Sequence, residues 1–182
     1  MYKLKLKNEE NFQLSNDGNW FAYIKKDHPT LKIIDTRTWK DVFSFGIDLD
    51  ASTDFLIQNN FDFSSDSQQF AFFQDRSSPP EEGEISPPSL HHIQVYQLDS
   101  ISKTFQQRNQ FKYEQSLFSL SFGFDKNTIL AGMSDAPFDI ELWDIKIGEK
   151  VKTLTGHNGQ VTLLEDHTDS VSYTHLTLPT KA

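Results

Sequence analysis

The chain has 182 residues, enough for a domain with its own core, and sixteen Phe, five Tyr and three Trp supply large side chains to bury. It contains no cysteine, which excludes a disulfide framework and any zinc site built on thiolates. The net charge of −9, with basic residues scattered, argues against nucleic acid as partner, because phosphates ask for a basic stripe.

Met1 to Lys7 alternates Lys3, Lys5 and Lys7 with Leu4 and Leu6. That pattern is a strand with one charged face, a face that discourages stray edge pairing, and not the unbroken apolar core of a signal peptide. No run reaches the ~18 consecutive apolar residues of a membrane span. An intracellular, cytoplasmic chain with no membrane contact is expected, with the nucleus left open.

Further along, one hairpin is written three times. Leu14-Ser15-Asn16-Asp17-Gly18-Asn19-Trp20-Phe21-Ala22, Phe63-Ser64-Ser65-Asp66-Ser67-Gln68-Gln69-Phe70-Ala71 and Phe122-Gly123-Phe124-Asp125-Lys126-Asn127-Thr128-Ile129-Leu130-Ala131 each run from an apolar strand end, through a turn around Asp, into a strand containing Ala. Asp suits the turn because its short carboxylate accepts from nearby backbone N–H groups. A period-two strand follows each hairpin: Leu31 to Asp35, Ile93 to Gln97 and Ile140 to Asp144. In the first and third copies a polar turn and a further strand come next, Trp39 to Phe45 and Glu149 to Leu154, which makes four strands per unit. The second copy is longer by an insertion at 76–90, rich in Pro, Ser and Glu; without it the units are slightly under fifty residues long.

These residues resemble the WD repeat, whose unit is a four-stranded β-propeller blade. Leu142-Trp143-Asp144 matches the Trp-Asp signature, and Leu154-Thr155-Gly156-His157 matches the Gly-His that opens a next blade. Ile34-Asp35 and Tyr96-Gln97 stand where Trp-Asp would be in the first two copies. The resemblance implies an all-β partial propeller: blades at about 8–46, 54–108 and 116–155, and the start of a fourth at 156–170. In that family the Gly-His histidine, a Ser or Thr on the second strand, an Asp before the third strand and the signature Trp share hydrogen bonds inside one blade. The resemblance therefore assigns His157 to the fourth blade and Trp143 to the third, with Asp135 or Asp139 as its carboxylate and no Gly-His before it. Trp143, Asp144, Gly156 and His157 are structural residues on this reading.

Val171 to Thr180 matches, residue for residue, a translated transposon-tagmentation sequencing adapter. The adapter's first two bases complete a codon ending in CT, which encodes Ser, Pro, Thr or Ala, and residue 170 is Ser. Residues 171–182 are accordingly expected to be non-native, and the native frame to be cut inside its fourth blade, leaving an open apolar flank.

Two features invite a chemical role. His91-His92 are adjacent on a strand and point to opposite faces, so they are poorly placed to chelate one ion, and no metal or cofactor is expected. The loop Ser77 to Ser89 has prolines that cannot continue a ladder and carboxylates that keep it solvated. It is either a tolerated insertion at a surface turn or a regulatory loop, in which Ser78 and Ser86, each before Pro, are candidates for proline-directed phosphorylation, or in which the Pro pairs offer polyproline segments to a recognition domain. No nucleophile elbow, phosphate-cradling loop or His-Glu-x-x-His occurs.

The expected function is a non-catalytic scaffold that presents blade loops to protein or peptide partners, as a subunit of a larger complex. The rivals are the propeller domain of an enzyme whose catalytic part lies beyond the cut, and a propeller subunit of an RNA–protein machine.

Overall fold

The computed structural model describes residues 11–25, 30–46, 61–76, 90–113, 117–123 and 125–161. Within them the period-two patterns become twelve strands in three four-stranded antiparallel sheets, each running in simple sequence order. Sheet 1 holds β1 (Phe12–Leu14), β2 (Trp20–Lys25), β3 (Thr30–Asp35) and β4 (Asp41–Gly46). Sheet 2 holds β5 (Phe61–Phe63), β6 (Gln69–Arg76), β7 (Leu90–Leu98) and β8 (Phe105–Tyr113). Sheet 3 holds β9 (Leu117–Phe122), β10 (Thr128–Met133), β11 (Ile140–Asp144) and β12 (Glu149–Leu154).

Register makes the sheets equivalent residue by residue. Leu14 pairs with Phe21, Phe63 with Phe70 and Phe122 with Ile129. Trp20 pairs with Asp35, Gln69 with Gln97 and Thr128 with Asp144. The outer ladder of each sheet then slips at one corresponding place, just before Ile34, Tyr96 and Trp143, so that Val42, Arg108 and Val151 are the extra residues on the outer strands. An extra residue of this kind bends its strand and increases local twist. All three sheets share this bulge, and sheet 3 has a second one in its β9–β10 ladder, between Gly132 and Met133.

Alternation of side chains gives each sheet two faces, and both faces of sheet 2 are covered. Its Phe61, Phe63, Phe70, Phe72 and Tyr96 pack on Trp20, Ala22, Ile24, Leu31 and Ile33 of sheet 1, with Phe43 and Phe45 against them. Rings meet closely here: Phe43–Tyr96 at 4.7 Å and Phe45–Phe72 at 4.9 Å between centroids. The opposite face, with Ala71, Phe73, Ile93, Val95 and Phe111, packs on Leu120, Phe122, Ile129, Ala131 and Trp143 of sheet 3. Each fully buried aromatic contributes about 1.5–3 kcal/mol by leaving water, and well-placed ring pairs add ~0.5–1.5 kcal/mol. Sheet 2 is the filling between two others.

The second sheet departs from the expected pattern. β7 and β8 extend beyond Gln97, and β8 continues to Tyr113, past residue 108 where the sequence placed the end of that unit. Trp39 and Lys40 belong to the turn before β4 and not to the strand. Ser78 and Ser86, most of the 76–90 loop, the lysine-bearing strand at 3–7 and everything after residue 161 lie outside the described residues.

Candidate functional site

In an antiparallel meander the first and third turns share one end of the sheet, so six tight turns cluster at one end of this molecule. The three turns between the first two strands of each sheet are built alike. Asp17 Oδ1 accepts from Asn19 N–H at 3.0 Å, Asp66 Oδ1 from Gln68 N–H at 3.1 Å and Asp125 Oδ1 from Asn127 N–H at 3.1 Å. Ser15 and Ser64 hydroxyls donate to the first two of these carboxylates, at 2.7 Å each. These turns also reach one another. Asp17 N–H donates to Ser67 Oγ at 3.1 Å, and Lys126 Nζ donates to Asp66 Oδ2 at 2.8 Å.

The turns before the outer strands repeat a second device. Asp35, Asp99 and Asp144 each accept, through Oδ1, from the backbone N–H groups two and three residues on: Arg37 and Thr38, Ile101 and Ser102, Lys146 and Ile147. The fifth residue of each turn is left-handed, with φ of 58° at Trp39, 56° at Lys103 and 72° at Gly148. Burial alone would raise the Asp35 carboxyl, but the Arg37 and Thr38 N–H groups hold it below its ordinary value. The Ser102 N–H does the same to Asp99. In sheet 2 the carboxylate is Asp99 and not a residue at Gln97, because the hairpin is longer by two residue pairs, Leu98 with Phe105 and Asp99 with Thr104; pairing equates Gln97 with Asp144, yet Asp99 does the capping.

A third arrangement joins the innermost strands. Gln13, Asp62 and Ser121 occupy equivalent positions on β1, β5 and β9, since each pairs with the same place on the second strand. Asp62 Oδ1 accepts from Gln13 Nε2 at 2.5 Å and from Phe63 N–H at 2.8 Å. Its Oδ2 accepts from Ser121 Oγ and from Phe122 N–H, both at 2.8 Å. One carboxylate thus ties three sheets together. Burial pushes the Asp62 carboxyl above its ordinary value, against the lowering effect of the Phe122, Gln13, Ser121 and Phe63 donors.

The signature residues are placed as follows. Trp143 is buried on β11, stacks on Phe111 of sheet 2 at 6.1 Å, and donates through Nε1 to Glu141 Oε2 at 3.1 Å. Glu141 is held in turn by Lys150 Nζ at 2.6 Å. The indole N–H is therefore taken by a carboxylate two residues away on the same face, and not by Asp135 or Asp139. Asp144 caps its turn as described. Gly156 adopts φ 107°, a conformation that suits glycine, and half-buried His157 follows it beyond β12. From there the chain returns to sheet 3: Ser119 Oγ donates to Val161 O at 2.6 Å, and Gln160 Nε2 donates to Ser134 O at 3.0 Å.

Three solved structures share this architecture. The chain superposes on the RRP9 WD40 repeats with a TM-score of 0.55 and 16% identity, covering 82% of itself and 39% of that chain. For U3-55K the TM-score is 0.55 with 17% identity, over 82% of this chain and 40% of the other. For the Cps50 (Swd1) β-propeller domain of Myceliophteria thermophila the TM-score is 0.56 with 12% identity, over 81% and 42%. The fold is that of a WD40 β-propeller. Each sheet is a blade, and the chain spans about two fifths of the length of the propellers it matches. No family profile and no characterised protein matches at the level of sequence.

Gln13, Asp62 and Ser121 thus lie on the first strand of each blade. Nothing in the turn pattern announced that belt. The one available signal was an Asp between two Phe on a strand, Phe61-Asp62-Phe63, where a buried carboxylate needs partners from elsewhere.

Proposed function

We propose that this chain is a non-catalytic interaction scaffold, which offers the rims and loops of its blades to protein or peptide partners within a larger assembly. The observation that carries this reading is the turn-bearing end. Six turns are pinned by their own Asp carboxylates, and hydrogen bonds from blade to blade hold the inner three together. A partner that docks there meets side chains whose backbone is already ordered, so little conformational entropy is spent on binding. Surfaces of this kind recognise partners by shape and anchor residues and not by a reacting group.

The test is site-specific photo-crosslinking in cells of the source organism. A photoreactive residue is placed at Ile101 or Ile147 on this end, and at Ser44, further along the outer strand β4, as a control. Discrete protein adducts that depend on position support the scaffold. Adducts equal at all three positions, or none with a chain that is folded in the same cells, contradict it.

A further inference from the structure

The three blades are equivalent in pairing but not in exposure. Phe12 and Leu14 on β1 hold the places of Phe61 and Phe63 on β5, and of Leu120 and Phe122 on β9, since each pairs with the same place on its second strand. In blades 2 and 3 these side chains are buried against the blade before. Phe12 is 57% exposed and Leu14 53%. Half-buried Phe21 lies between them, and Phe12 stacks on it at 5.9 Å between ring centroids. Blade 1 thus leaves open the apolar surface that its two sisters cover.

Sheet 3, at the other end of the row, carries the other half of the joint. Inside the chain the receiving face has Ile33 and Phe45 in blade 1, and Val95 and Phe111 in blade 2. Pairing puts Leu142 and Leu154 in those places on sheet 3, and Leu130 in the place of Ala22 and Ala71. The returning segment reaches only the Gly132 corner of this face, through Val161, and Leu130, Leu142 and Leu154 stay half-buried. A polar contact repeats as well. Asn109 Nδ2 donates to Ile145 O across the joint between blades 2 and 3 at 2.6 Å. Exposed Lys152 holds the place of Asn109, and Thr36 that of Ile145, so blade 3 keeps a donor and blade 1 the carbonyl position.

We propose that a second copy of this chain covers both surfaces, with the Phe12–Leu14 face of one copy packed on the Leu130–Leu142 face of the other. The joint itself selects this occupant. What covers the Phe61–Phe63 face and the Leu120–Phe122 face is each time the receiving face of the blade before, and among the described sheets the receiving face with no blade on it is that of sheet 3. Three blades in each of two copies make six, within the ~4–8 with which propellers close. The second joint therefore forms with the first, and assembly stops at two chains. The proposal does not depend on the scaffold reading.

The test reads the mass of the assembly and the order of its blades. The full chain sediments at twice the chain mass from low to high micromolar concentration, with no larger species. Phe12→Glu with Leu14→Glu weakens the dimer roughly tenfold or more, and an unchanged circular dichroism spectrum shows that the blades stay folded. Order is read by crosslinking, since the chain has no cysteine of its own. Within the chain Asp17 N–H meets Ser67 Oγ of the next blade, and Asp125 and Gly18 hold those places at the new joint. A short thiol crosslinker therefore joins Asp125→Cys chains to Asn16→Cys chains, and neither kind to itself. A chain that stays monomeric throughout leaves these faces to further blades of a longer polypeptide and overturns the proposal. So does a dimer indifferent to the paired substitution, or one crosslinked alike within and between the two kinds.

Discussion

Removing the Asp62 carboxylate is expected to loosen three blades at once. In Asp62→Ala the Phe122 N–H loses its acceptor where no water readily replaces it, while Gln13 can turn outward and Ser121 keeps a bond to Phe122 O at 3.1 Å. A stranded buried donor costs about 1–3 kcal/mol, and burial already charges the native carboxylate part of its benefit, so the net loss should be about 3 kcal/mol. For a chain of this size that lowers the thermal midpoint by about 10 °C. Asp62→Asn keeps one acceptor oxygen and should lose about half as much. Urea unfolding gives the totals, and hydrogen exchange gives the distribution: amides of β1 and β9 should lose protection together with β5. The pH dependence separates Asp62 from the other carboxylates. A carboxyl whose folded value is raised contributes stability that is present below the unfolded value and lost as pH rises through the folded one. The advantage of the native chain over Asp62→Asn should therefore grow on acidification from neutral toward about pH 4. Asp17, Asp35 and Asp66 have lowered values, and their contribution runs the other way, present above the unfolded value and lost as pH falls. A loss within 0.5 kcal/mol for Asp62→Ala, or exchange changes confined to β5, refutes the reasoning.

Other substitutions test the remaining contacts. Trp143→Phe keeps the packing on Phe111 and loses the Glu141 hydrogen bond, about 1 kcal/mol, whereas Trp143→Ala should cost about 3–5 kcal/mol; denaturant titration showing equal losses would place the indole N–H at the centre instead. A Cβ on Gly132 would stand 2.6 Å from Ser119 Oγ and 3.4 Å from Val161 O. Gly132→Ala should therefore cost about 1–3 kcal/mol and raise exchange at Val161, and a thermal midpoint at the native value argues against that docking. Asp35→Ala leaves the Arg37 and Thr38 N–H groups uncapped, for a loss of about 1–2 kcal/mol measured by urea unfolding; no change would mean that water serves the turn as well.

Local chemistry was legible in the sequence, and contacts across blades were not. The Asp turns at 17, 66 and 125 could be read directly, because carboxylate and N–H lie two residues apart in the chain. Ile140–Asp144 and Glu149–Leu154 are strands at the bounds read from the sequence. In blade 2 the longer outer hairpin moved the capping carboxylate to Asp99, and aligning by the Trp-Asp position pointed to Gln97. The Asp62 belt escaped entirely, since its partners come from other blades and no spacing rule links them. Trp143 and Glu141, by contrast, sit two apart on one strand and so share a face; that pairing was available from period alone. The family resemblance directed attention to carboxylates before the strand instead.

The central claim is that three equivalent sheets stand side by side in chain order. The chain has no cysteine, so nitroxide labels can be placed in pairs at Asn16, Ser65 and Lys126, one exposed position on each inner turn, and the separations measured by pulsed electron resonance. Short, similar distances for 16–65 and 65–126, with a clearly longer one for 16–126, are expected from blades stacked along an arc. A 16–126 distance no longer than its neighbours, or distributions too broad to order, would contradict the stacking.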